Sequence, residues 1–398
     1  MATAEWKRVK LDELGFVGRC KSRHRPRNAA FLYGGRYPFF QTGDIKSANF
    51  HLTEFTQTYS DEGLAQSKLW EPGTLCITIA ANIAESAVLG IEGCFPDSVV
   101  GFIADPERAD VGFIKYYMDT LKLHMQSISR GTTQDNLSLD KLLTFDFCVP
   151  PLPVQRRIAG VLSTYDELME NCQRRIRILE AIARAFYNEW FVHFRFPRHE
   201  KIPRVASSLG DIPQGWEVRI VEELVKRIPV GKKYDQKTVN VTGTVPVFDQ
   251  GKSGIIGYHD DEPGVIASES SPIIVFANHT CYQRLIHVPF STIQNVLPFV
   301  PNLSLPRNIY WLHWATNGLV VFNDYKGHWP EFMAKKVVVP PADLCQHFGD
   351  YISPFSRQIL NLERVRENLR RTRDLLLPKL ISGELDVSGA AKVTAVAV

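Results

Sequence analysis

The chain has 398 residues, of which 44% are hydrophobic and 22% charged, and its formal net charge is +3. This length predicts two or three domains of an ordinary globular protein, and the small charge does not by itself indicate a nucleic-acid-binding protein. The sequence contains neither an apolar run of membrane-spanning length nor the apolar core of a signal peptide, so we expect a cytoplasmic protein without a membrane partner.

The sequence repeats itself in order along the chain. FCVPPLPVQRRIAGVL begins at Phe147 and VVVPPADLCQHFGDYI begins at Val337, so their Val-Pro-Pro triplets lie 190 residues apart (149 to 339). Upstream, YPFFQTGD (37–44) resembles VPVFDQGK (245–252). A period of this length is too long for a solenoid repeat and predicts two domain-sized halves.

Each half is predicted to begin with a strand-rich mixed body and to end in a long helix, which makes the fold class α+β. Strands are indicated by short apolar runs bounded by Gly, Pro and Asn, at 74–80, 87–93, 272–278 and 336–341. The resulting boundaries are a first domain at 1–150, a helix at 151–196, a linker at 197–215, a second domain at 216–341, a helix at 342–386 and a tail at 387–398.

The two predicted helices carry matching apolar seams. In both, residues recur at alternating steps of four and three, which is the heptad pattern of a coiled coil. The first seam consists of Ile158, Leu162, Tyr165, Met169, Cys172, Ile176, Leu179, Ala183, Phe186 and Trp190, and the second of Phe348, Ile352, Phe355, Ile359, Leu362, Leu369, Leu376 and Leu380. We expect the helices to pack on each other, antiparallel if a two-fold axis relates the halves. The alternative is that each helix packs on its own domain.

Three residues of the second helix depart from this pattern. Arg366 and Arg373 interrupt the apolar seam. Pro354 cannot donate a helical hydrogen bond, so a kink is predicted there, or a restart capped by Ser353.

No catalytic pattern stands out in the sequence. Gly251-Lys252-Ser253 resembles the end of a phosphate-binding loop, but Pro246 occupies the position where that loop needs its first glycine. Pro96-Asp97 begins a restriction-nuclease carboxylate pattern without the Glu-x-Lys that completes it, and the seven cysteines form no C-x-x-C pair. We therefore expect no catalytic centre and no metal, the alternative being a nuclease or methyltransferase with an unrecognised site.

Five runs of the sequence resemble the specificity subunit of type I restriction–modification systems. They are YPFFQTGDIKS (37–47), SRGTTQDNLSLDKLLTFDFCVPPLP (129–153), VPPLPVQRRIAGVLSTYDELME (149–170), DIPQGWE (211–217) and RDLLLPKLISGELDV (373–387). The resemblance covers about residues 1–387. In the second half KGHWPEFMAKKVVVPP replaces the pattern GTTQDNLSLDKLL, so the last loop of that half departs from the family.

The resemblance implies a subunit without a catalytic centre of its own. Two target-recognition domains would each recognise one half of a bipartite, asymmetric double-stranded DNA target. The two helices would form an antiparallel spacer and dock two methyltransferase (modification) subunits. S-adenosylmethionine, ATP and Mg would belong to those subunits and to the restriction (translocase and nuclease) subunits.

DNA contacts are predicted where basic and forked polar side chains cluster in turns, because phosphates are bound by Lys and Arg and base edges by Arg, Asn and Gln. In the first half these residues are Arg19, Lys21, Arg23, Arg25, Arg27, Gln41, Thr42, Asp44, Lys46, Arg130, Thr132, Thr133, Gln134 and Asn136. In the second half they are Lys232, Lys233, Tyr234, Gln236, Lys237, Gln250, Lys252, Ser253, Tyr258, Lys326 and His328. The alternative for each cluster is an ordinary solvated turn.

Overall fold

The computed structural model describes residues 6–19, 29–130, 137–251, 254–305, 307–323 and 327–387, with the backbone alone at 128–130. The chain divides into two compact units. Unit 1 comprises residues 1–172 and 365–398, and unit 2 comprises residues 173–364. Because the boundaries fall inside the two long helices, each unit contains a part of both.

Unit 1 is built on a five-stranded sheet. The strands of the whole unit are β1 (Lys7–Val9), β2 (Gly15–Arg19), β3 (Tyr33–Phe39), β4 (His51–Leu52), β5 (Gln57–Tyr59), β6 (Leu75–Thr78), β7 (Ser86–Leu89), β8 (Val99–Ala104) and β9 (Phe147–Val149). The sheet has the order β2-β8-β6-β7-β4, and all its pairs are antiparallel except β4 with β7. The other four strands form two separate antiparallel pairs, β1 with β9 and β3 with β5.

The helices of unit 1 are α1 (Thr42–Ser47), α2 (Asp61–Ala65), α3 (Val111–Arg130), α4 (Leu139–Leu142) and the first part of α5 (Leu152–Tyr187), which a π-helical turn at Asn188–Val192 continues. Of these, α1 and α3 contact the sheet. Strand β6 is buried on both faces: Leu75 and Ile77 join the main core, whereas Cys76 joins a smaller cluster with Trp70. Such two-sided burial explains why its sequence is a continuous apolar run.

Unit 2 contains two small sheets and two strand pairs. Its strands are β10 (Arg204–Ser207), β11 (Gly210–Pro213), β12 (Glu217–Ile220), β13 (Val225–Arg227), β14 (Val245–Phe248), β15 (Ile255–His259), β16 (Ile273–Ala277), β17 (Gln283–Ile286), β18 (Ser291–Thr292), β19 (Val296–Pro301) and β20 (Lys336–Val339). The sheets have the orders β13-β19-β16-β17 and β15-β14-β18. Antiparallel pairs join β12 to β20 and β10 to β11, and the latter hairpin occupies the segment predicted to be a linker. The helices of this unit are α6 (Val221–Leu224), α7 (Ile309–Thr316), α8 (Trp329–Ala334) and the first part of α9 (Ala342–Ile381).

The two units repeat one topology. The order β13-β19-β16-β17 of unit 2 reproduces the order β2-β8-β6-β7 of unit 1, and the pair β12–β20 reproduces β1–β9. In both units the last strand of the body leads directly into a long helix. The predicted α+β fold with two pseudo-symmetric halves is therefore confirmed.

The predicted seams are the buried faces of α5 and α9. Every seam position is buried or half-buried except Phe186, whose exposed fraction is 36%. In unit 2 the helices run antiparallel, since Phe186 stacks on Tyr351 while Phe191 contacts Phe348. In unit 1, Leu380 of α9 is fully buried in the same core as Leu162 of α5.

Helix α9 excludes one of the two alternatives predicted at Pro354. The helix runs continuously from Ala342 to Ile381, so a restart capped by Ser353 does not occur. Proline removes one hydrogen bond from the ladder, but the neighbouring Ile352 is fully buried and Phe355 packs against the same core. Side-chain packing on both sides of the proline therefore holds the helix together.

Candidate nucleic-acid interface

In unit 1 the predicted turn Gln41–Lys46 is the start of helix α1, and its shape is fixed by Asp44. The Asp44 carboxylate accepts hydrogen bonds from the Gln41 backbone N–H (2.8 Å) and from the Thr56 hydroxyl (3.3 Å). Asp44 is 7% exposed. Its side chain therefore serves as a cap and leaves Gln41, Thr42 and Lys46 as the outward-facing polar residues.

Gln41 and Thr42 line a cavity of about 450 Å³. Its wall is completed by Tyr33, Phe39 and Gln57 and by the loop segments 80–81 and 96–98. The Gln41 side-chain amide donates to Gln57 Oε1 across the cavity at 2.9 Å. A second cavity, of about 300 Å³, also has Tyr33 and Gln57 in its wall. These two residues therefore separate the two cavities.

Two of the predicted phosphate-binding cations flank the larger cavity. Arg19 Nη2 donates to the carbonyl oxygen of Asp97 (3.1 Å), and Lys46 Nζ donates to Asn82 Oδ1 (3.3 Å). Both acceptors are neutral, and neither cation forms an ion pair with any residue that the structure describes. Their positive charges are therefore not neutralised and remain available to an anion.

The loop at 79–85, which joins β6 to β7 and borders the cavity, has a strained backbone. Ala81 and Ala84 have φ values of 61° and 59°, in the left-handed region that costs a residue with a Cβ about 1 kcal/mol or more. The loop is held in this shape from both sides. The buried Thr78 hydroxyl donates to the Asn82 carbonyl oxygen and accepts from the Glu85 N–H (2.9 Å).

Helix α3 supports the same loop. Lys122 forms an ion pair of 2.8 Å with Glu85, and the Gln126 side-chain amide donates to the Ile83 carbonyl oxygen at 3.0 Å. Backbone strain persists only where the surroundings impose it, and it is concentrated at functional sites in proteins.

In unit 1 the segment after β3 contacts the loop 79–85 through Lys46 and Asn82. In unit 2 the turn after β14 contacts the loop 278–282 in the corresponding way, but through different side chains. Gln250 lies in the turn after β14. Its side-chain Oε1 accepts a hydrogen bond from the His279 N–H (2.8 Å), and its backbone carbonyl oxygen accepts one from the Thr280 hydroxyl (2.5 Å). The loop 278–282 joins β16 to β17, as 79–85 joins β6 to β7, and it too contains a left-handed residue, Cys281 (φ 58°). The same pair of loops therefore meets in both units, at the same place in the topology.

The last glycine of the Gly-Lys-Ser-Gly run has a packing role. Gly254 has a φ of +79°, and a Cβ at this position would overlap the guanidinium group of Arg284. That guanidinium lies over the rings of Phe248 and Tyr282, at 5.4 and 5.1 Å from the ring centroids. The absence of a side chain at Gly254 thus lets the turn approach an arginine that the sequence did not single out.

The other basic cluster of unit 2 is partly neutralised. Lys232 forms an ion pair with Asp261 (2.7 Å), whose carboxylate also accepts from the Tyr234 hydroxyl (2.9 Å). These two hydrogen bonds lower the pKa of Asp261, and the carboxylate in turn raises the pKa of Lys232. Tyr234 is 5% exposed and stacks on His259 at 4.1 Å.

The remaining predicted contact residues fall into three groups. Lys233, Gln236 and Lys237 are exposed, and Tyr258 is half-buried. His328 is fully buried, so its ring does not reach a surface ligand in this structure, because the segment before α8 folds back onto Asn278. Outside the described side chains lie Lys21, Arg23, Arg25, Arg27, Arg130, Thr132, Thr133, Gln134, Asn136, Lys252, Ser253 and Lys326.

Sequence reasoning missed Gln57 and Asn82 at the cavity. Gln57 reaches Gln41 because β5 pairs with β3 in the register Phe39↔Gln57, and no local pattern encodes that register. Asp97 belongs to the Pro-Asp pair, which the Glu-x-Lys of a nuclease motif does not follow. Its carbonyl oxygen anchors Arg19 instead.

No helix of the described residues combines the length and apolar composition that a membrane crossing requires. In the same residues, His, Cys, Asp and Glu side chains do not converge in a group of three or more that could hold a metal ion.

Comparisons with known proteins agree on one family. Residues 3–181 match the family model described as "Type I restriction modification DNA specificity domain". The MjaIX type I restriction enzyme specificity subunit of Methanocaldococcus jannaschii is 24% identical over 383 residues, covering 89% of this chain and 88% of that protein. The EcoR124I/EcoR124II specificity subunit of Escherichia coli is 26% identical over 135 residues, which cover 30% and 33% of the two chains.

One solved structure shares the fold over the whole chain. The crystal structure of the type I restriction–modification S subunit from M. genitalium matches with a TM-score of 0.56 and 16% identity, covering 96% of this chain and 97% of that one. At this identity the match establishes the fold.

The duplicated sheet topology, with a long helix after each copy, is thus a fold that this chain shares with that S subunit. Residues 3–181 match the model of type I restriction–modification DNA specificity domains, and the recognition made from the sequence is confirmed. The predicted function, that of a specificity subunit and not of a catalytic one, is likewise confirmed.

Proposed function

We propose that this chain selects the DNA target of a type I restriction–modification complex, and that each unit recognises one half of a bipartite sequence. The observation that carries the proposal is the repeated pair of loops, which meet at the same place in both units but present different side chains. Lys46 contacts Asn82 in unit 1, whereas Gln250 contacts His279 in unit 2. Because the same pair of loops carries different polar residues in the two units, we expect the two half-sites of the target to differ in sequence.

The helices α5 and α9 are proposed to set the unread spacer between the half-sites and to dock two methyltransferase subunits. In support, each helix begins in one unit and ends in the other. Restriction subunits with translocase and nuclease activity would complete the assembly. S-adenosylmethionine, ATP and Mg would bind to these partners, and the complex would act in the cytoplasm.

The proposed DNA-contacting set in unit 1 consists of Gln41 and Thr42, which line one cavity, and of Arg19 and Lys46, which bond to residues in its wall or next to it. The basic segment that continues from Arg19, with Lys21, Arg23, Arg25 and Arg27, belongs to the same proposal as a source of phosphate contacts. In unit 2 the set comprises Gln250 with the exposed Lys233, Gln236 and Lys237.

The test is to express the chain with the modification subunits of its own system and to map the methylated adenines by sequencing. The expected result is a single motif of two different half-sites separated by bases without preference. A continuous motif, or methylation that does not depend on this chain, would contradict the proposal.

The alternative, a nuclease or methyltransferase with an unrecognised site, makes the opposite prediction. Purified alone and supplied with S-adenosylmethionine or with Mg, such an enzyme would modify or cleave DNA. We expect no turnover under these conditions and a DNA affinity that falls steeply with salt, because phosphate neutralisation releases counterions.

A further inference from the structure

Gln57 occupies a position set by long-range pairing in unit 1. It is the first residue of β5 and lies opposite Phe39, the last residue of β3. Gln41 follows two residues after Phe39, so the two glutamines come from separate segments and meet at the cavity. The pairing of β3 with β5 therefore determines where the Gln57 side chain lies.

The contact with Gln41 also determines how the Gln57 carboxamide is oriented. Gln41 Nε2 donates to Gln57 Oε1 at 2.9 Å, so the Gln57 oxygen points towards Gln41 and the Nε2 hydrogens point elsewhere. Gln41 is itself restrained, because its backbone N–H donates to Asp44. Gln57 is exposed. An oriented, exposed amide donor is the arrangement that recognises a hydrogen-bond acceptor.

The cavity wall beside Gln57 is rigid and aromatic. Phe39 stacks on the fully buried Tyr59 at 4.0 Å between ring centroids, and Tyr33 contacts both rings, at 6.2 and 5.4 Å. A donor held on such a wall keeps its position when a ligand arrives, so little side-chain freedom is lost on binding.

Two cations next to the cavity outnumber the one carboxylate in its wall, that of Asp97, and therefore favour a polyanion as the ligand. Arg19 and Lys46 lie on its borders, each bound to a neutral oxygen and neither ion-paired within the described part of the chain. Phosphate contacts of this kind orient a duplex, whereas polar groups between them contact base edges. The acceptors that a base pair presents in the major groove are the N7 of purines, the O6 of guanine and the O4 of thymine.

We propose that Gln57 is a specificity-determining residue of unit 1. Its Nε2 donates to an acceptor on one base of the first half-site, Gln41 fixes its orientation, and Arg19 and Lys46 bind the flanking phosphates. This inference rests on the proposed function, since it assumes that unit 1 contacts DNA.

The test is the substitution Gln57→Met in the full chain, assembled with its modification subunits. Binding to a library of DNA duplexes, each changed at one position of the target, gives the base preference at every position. We expect the preference at one position of one half-site to fall by about 2- to 13-fold, the range for loss of one neutral hydrogen bond, while the other half-site is recognised unchanged. A uniform loss over all positions of that half-site would assign Gln57 a structural role and overturn the proposal, as would an unchanged profile.

Two further variants keep the test decisive. Gln57→Glu preserves the shape but replaces the donor by an acceptor, so its preference should shift at the same position. Gln66→Glu adds the same charge after α2, away from the cavity wall, and should leave the profile unchanged. If the unmodified protein recognises a bipartite target and both Gln57 variants recognise it identically, the inference fails while the proposed function stands. If the unmodified protein shows no bipartite preference, the proposed function itself fails.

Discussion

Arg19 and Lys46 differ from Lys232 in the partners that accept their hydrogen bonds. The first two donate to a carbonyl and an amide oxygen, whereas Lys232 donates to the carboxylate of Asp261. A carboxylate partner cancels the charge that a phosphate would otherwise neutralise. We therefore expect a cation to bind phosphate when its hydrogen-bond acceptor is neutral, whereas its position in a turn says less.

Substitution of Lys46 by Ala should weaken DNA binding and reduce the slope of log affinity against log salt by about 1, the value for one lost phosphate contact. Fluorescence anisotropy at several salt concentrations measures both quantities. Lys10→Ala removes the same charge from unit 1, but Lys10 is paired with Asp146 (2.6 Å). Equal effects of the two variants would mean that only total charge matters.

At the scale of elements, the loop 79–85 depends on one buried hydroxyl. Thr78 is 0% exposed and bonds both ends of the strained segment, at Asn82 and Glu85. The loop carries Asn82, which contacts Lys46, and Ala80 and Ala81, which border the cavity. Its conformation therefore links the core of the sheet to the proposed interface.

Thr78→Val keeps the shape of the side chain but removes the nearer acceptor of the Glu85 N–H, which retains only the Asn82 carbonyl oxygen at 3.4 Å, and it removes the hydroxyl that donates to that same oxygen. We expect the free energy of unfolding to fall by about 1–3 kcal/mol, and DNA affinity to fall as the loop relaxes. Chemical denaturation and anisotropy provide the measurements. The matched change Thr120→Val alters an exposed hydroxyl in α3 that bonds only the carbonyl oxygen of its own helix, and it should change neither quantity appreciably.

Arg373, one of the two arginines that interrupt the seam of α9, has a partner in α5. Arg373 Nη1 donates to Asp166 (2.5 Å), whose other oxygen accepts from the Tyr116 hydroxyl of α3 at 2.6 Å. Asp166 is 3% exposed. Although burial opposes its charge, the carboxylates of Asp166 and Asp374 raise the pKa of Arg373, and burial together with Asp166 raises the pKa of Tyr116. The positive charge of Arg373 in the apolar seam is thus explained by the negative charge of Asp166 opposite it.

Arg373→Ala should destabilise unit 1 by about 3–5 kcal/mol, because it leaves a buried carboxylate without its counter-charge. Arg371→Ala, at an exposed position of the same helix, serves as the control. The double variant Arg373→Leu with Asp166→Leu should recover much of the loss, since both charges are then removed. Thermal unfolding of the three variants tests this, and a loss in Arg373→Ala no larger than in the control would contradict it.

At the scale of the whole molecule, the order of the repeat could be predicted from the sequence, but the neighbours of each residue could not. The Val-Pro-Pro anchors and the heptad seams are local patterns, and they located both bodies and both helices. The contact of Gln57 with Gln41 depends on strand register, and the burial of His328 depends on how a loop returns to Asn278. The inclusion of residues 365–387 in unit 1 likewise depends on tertiary packing, which overrides chain order.

Removal of residues 365–398 should destabilise unit 1, although its body lies at the other end of the sequence. The deletion takes Leu380, Ile381 and Val387 out of its core, where they are 0%, 5% and 6% exposed. At about 1.5–3 kcal/mol for each large buried side chain, the loss is on the order of several kcal/mol. Limited proteolysis with mass spectrometry should reveal new cleavage within 6–172. Deletion of 388–398 alone is the control, and equal protection in both proteins would contradict the prediction.

The assignment of residues 365–387 to unit 1 also has a consequence for how the protein is made. The 192 residues of unit 2 (173 to 364) are synthesised between the two segments of unit 1. At about 5–20 residues per second, the ribosome needs roughly 10–40 s to cross that interval. During this time the first-made body presents the apolar surface that Leu380 and Ile381 later cover. The unit that leaves the ribosome first is therefore the last to be completed, and its newborn form is the species that chaperones have to protect.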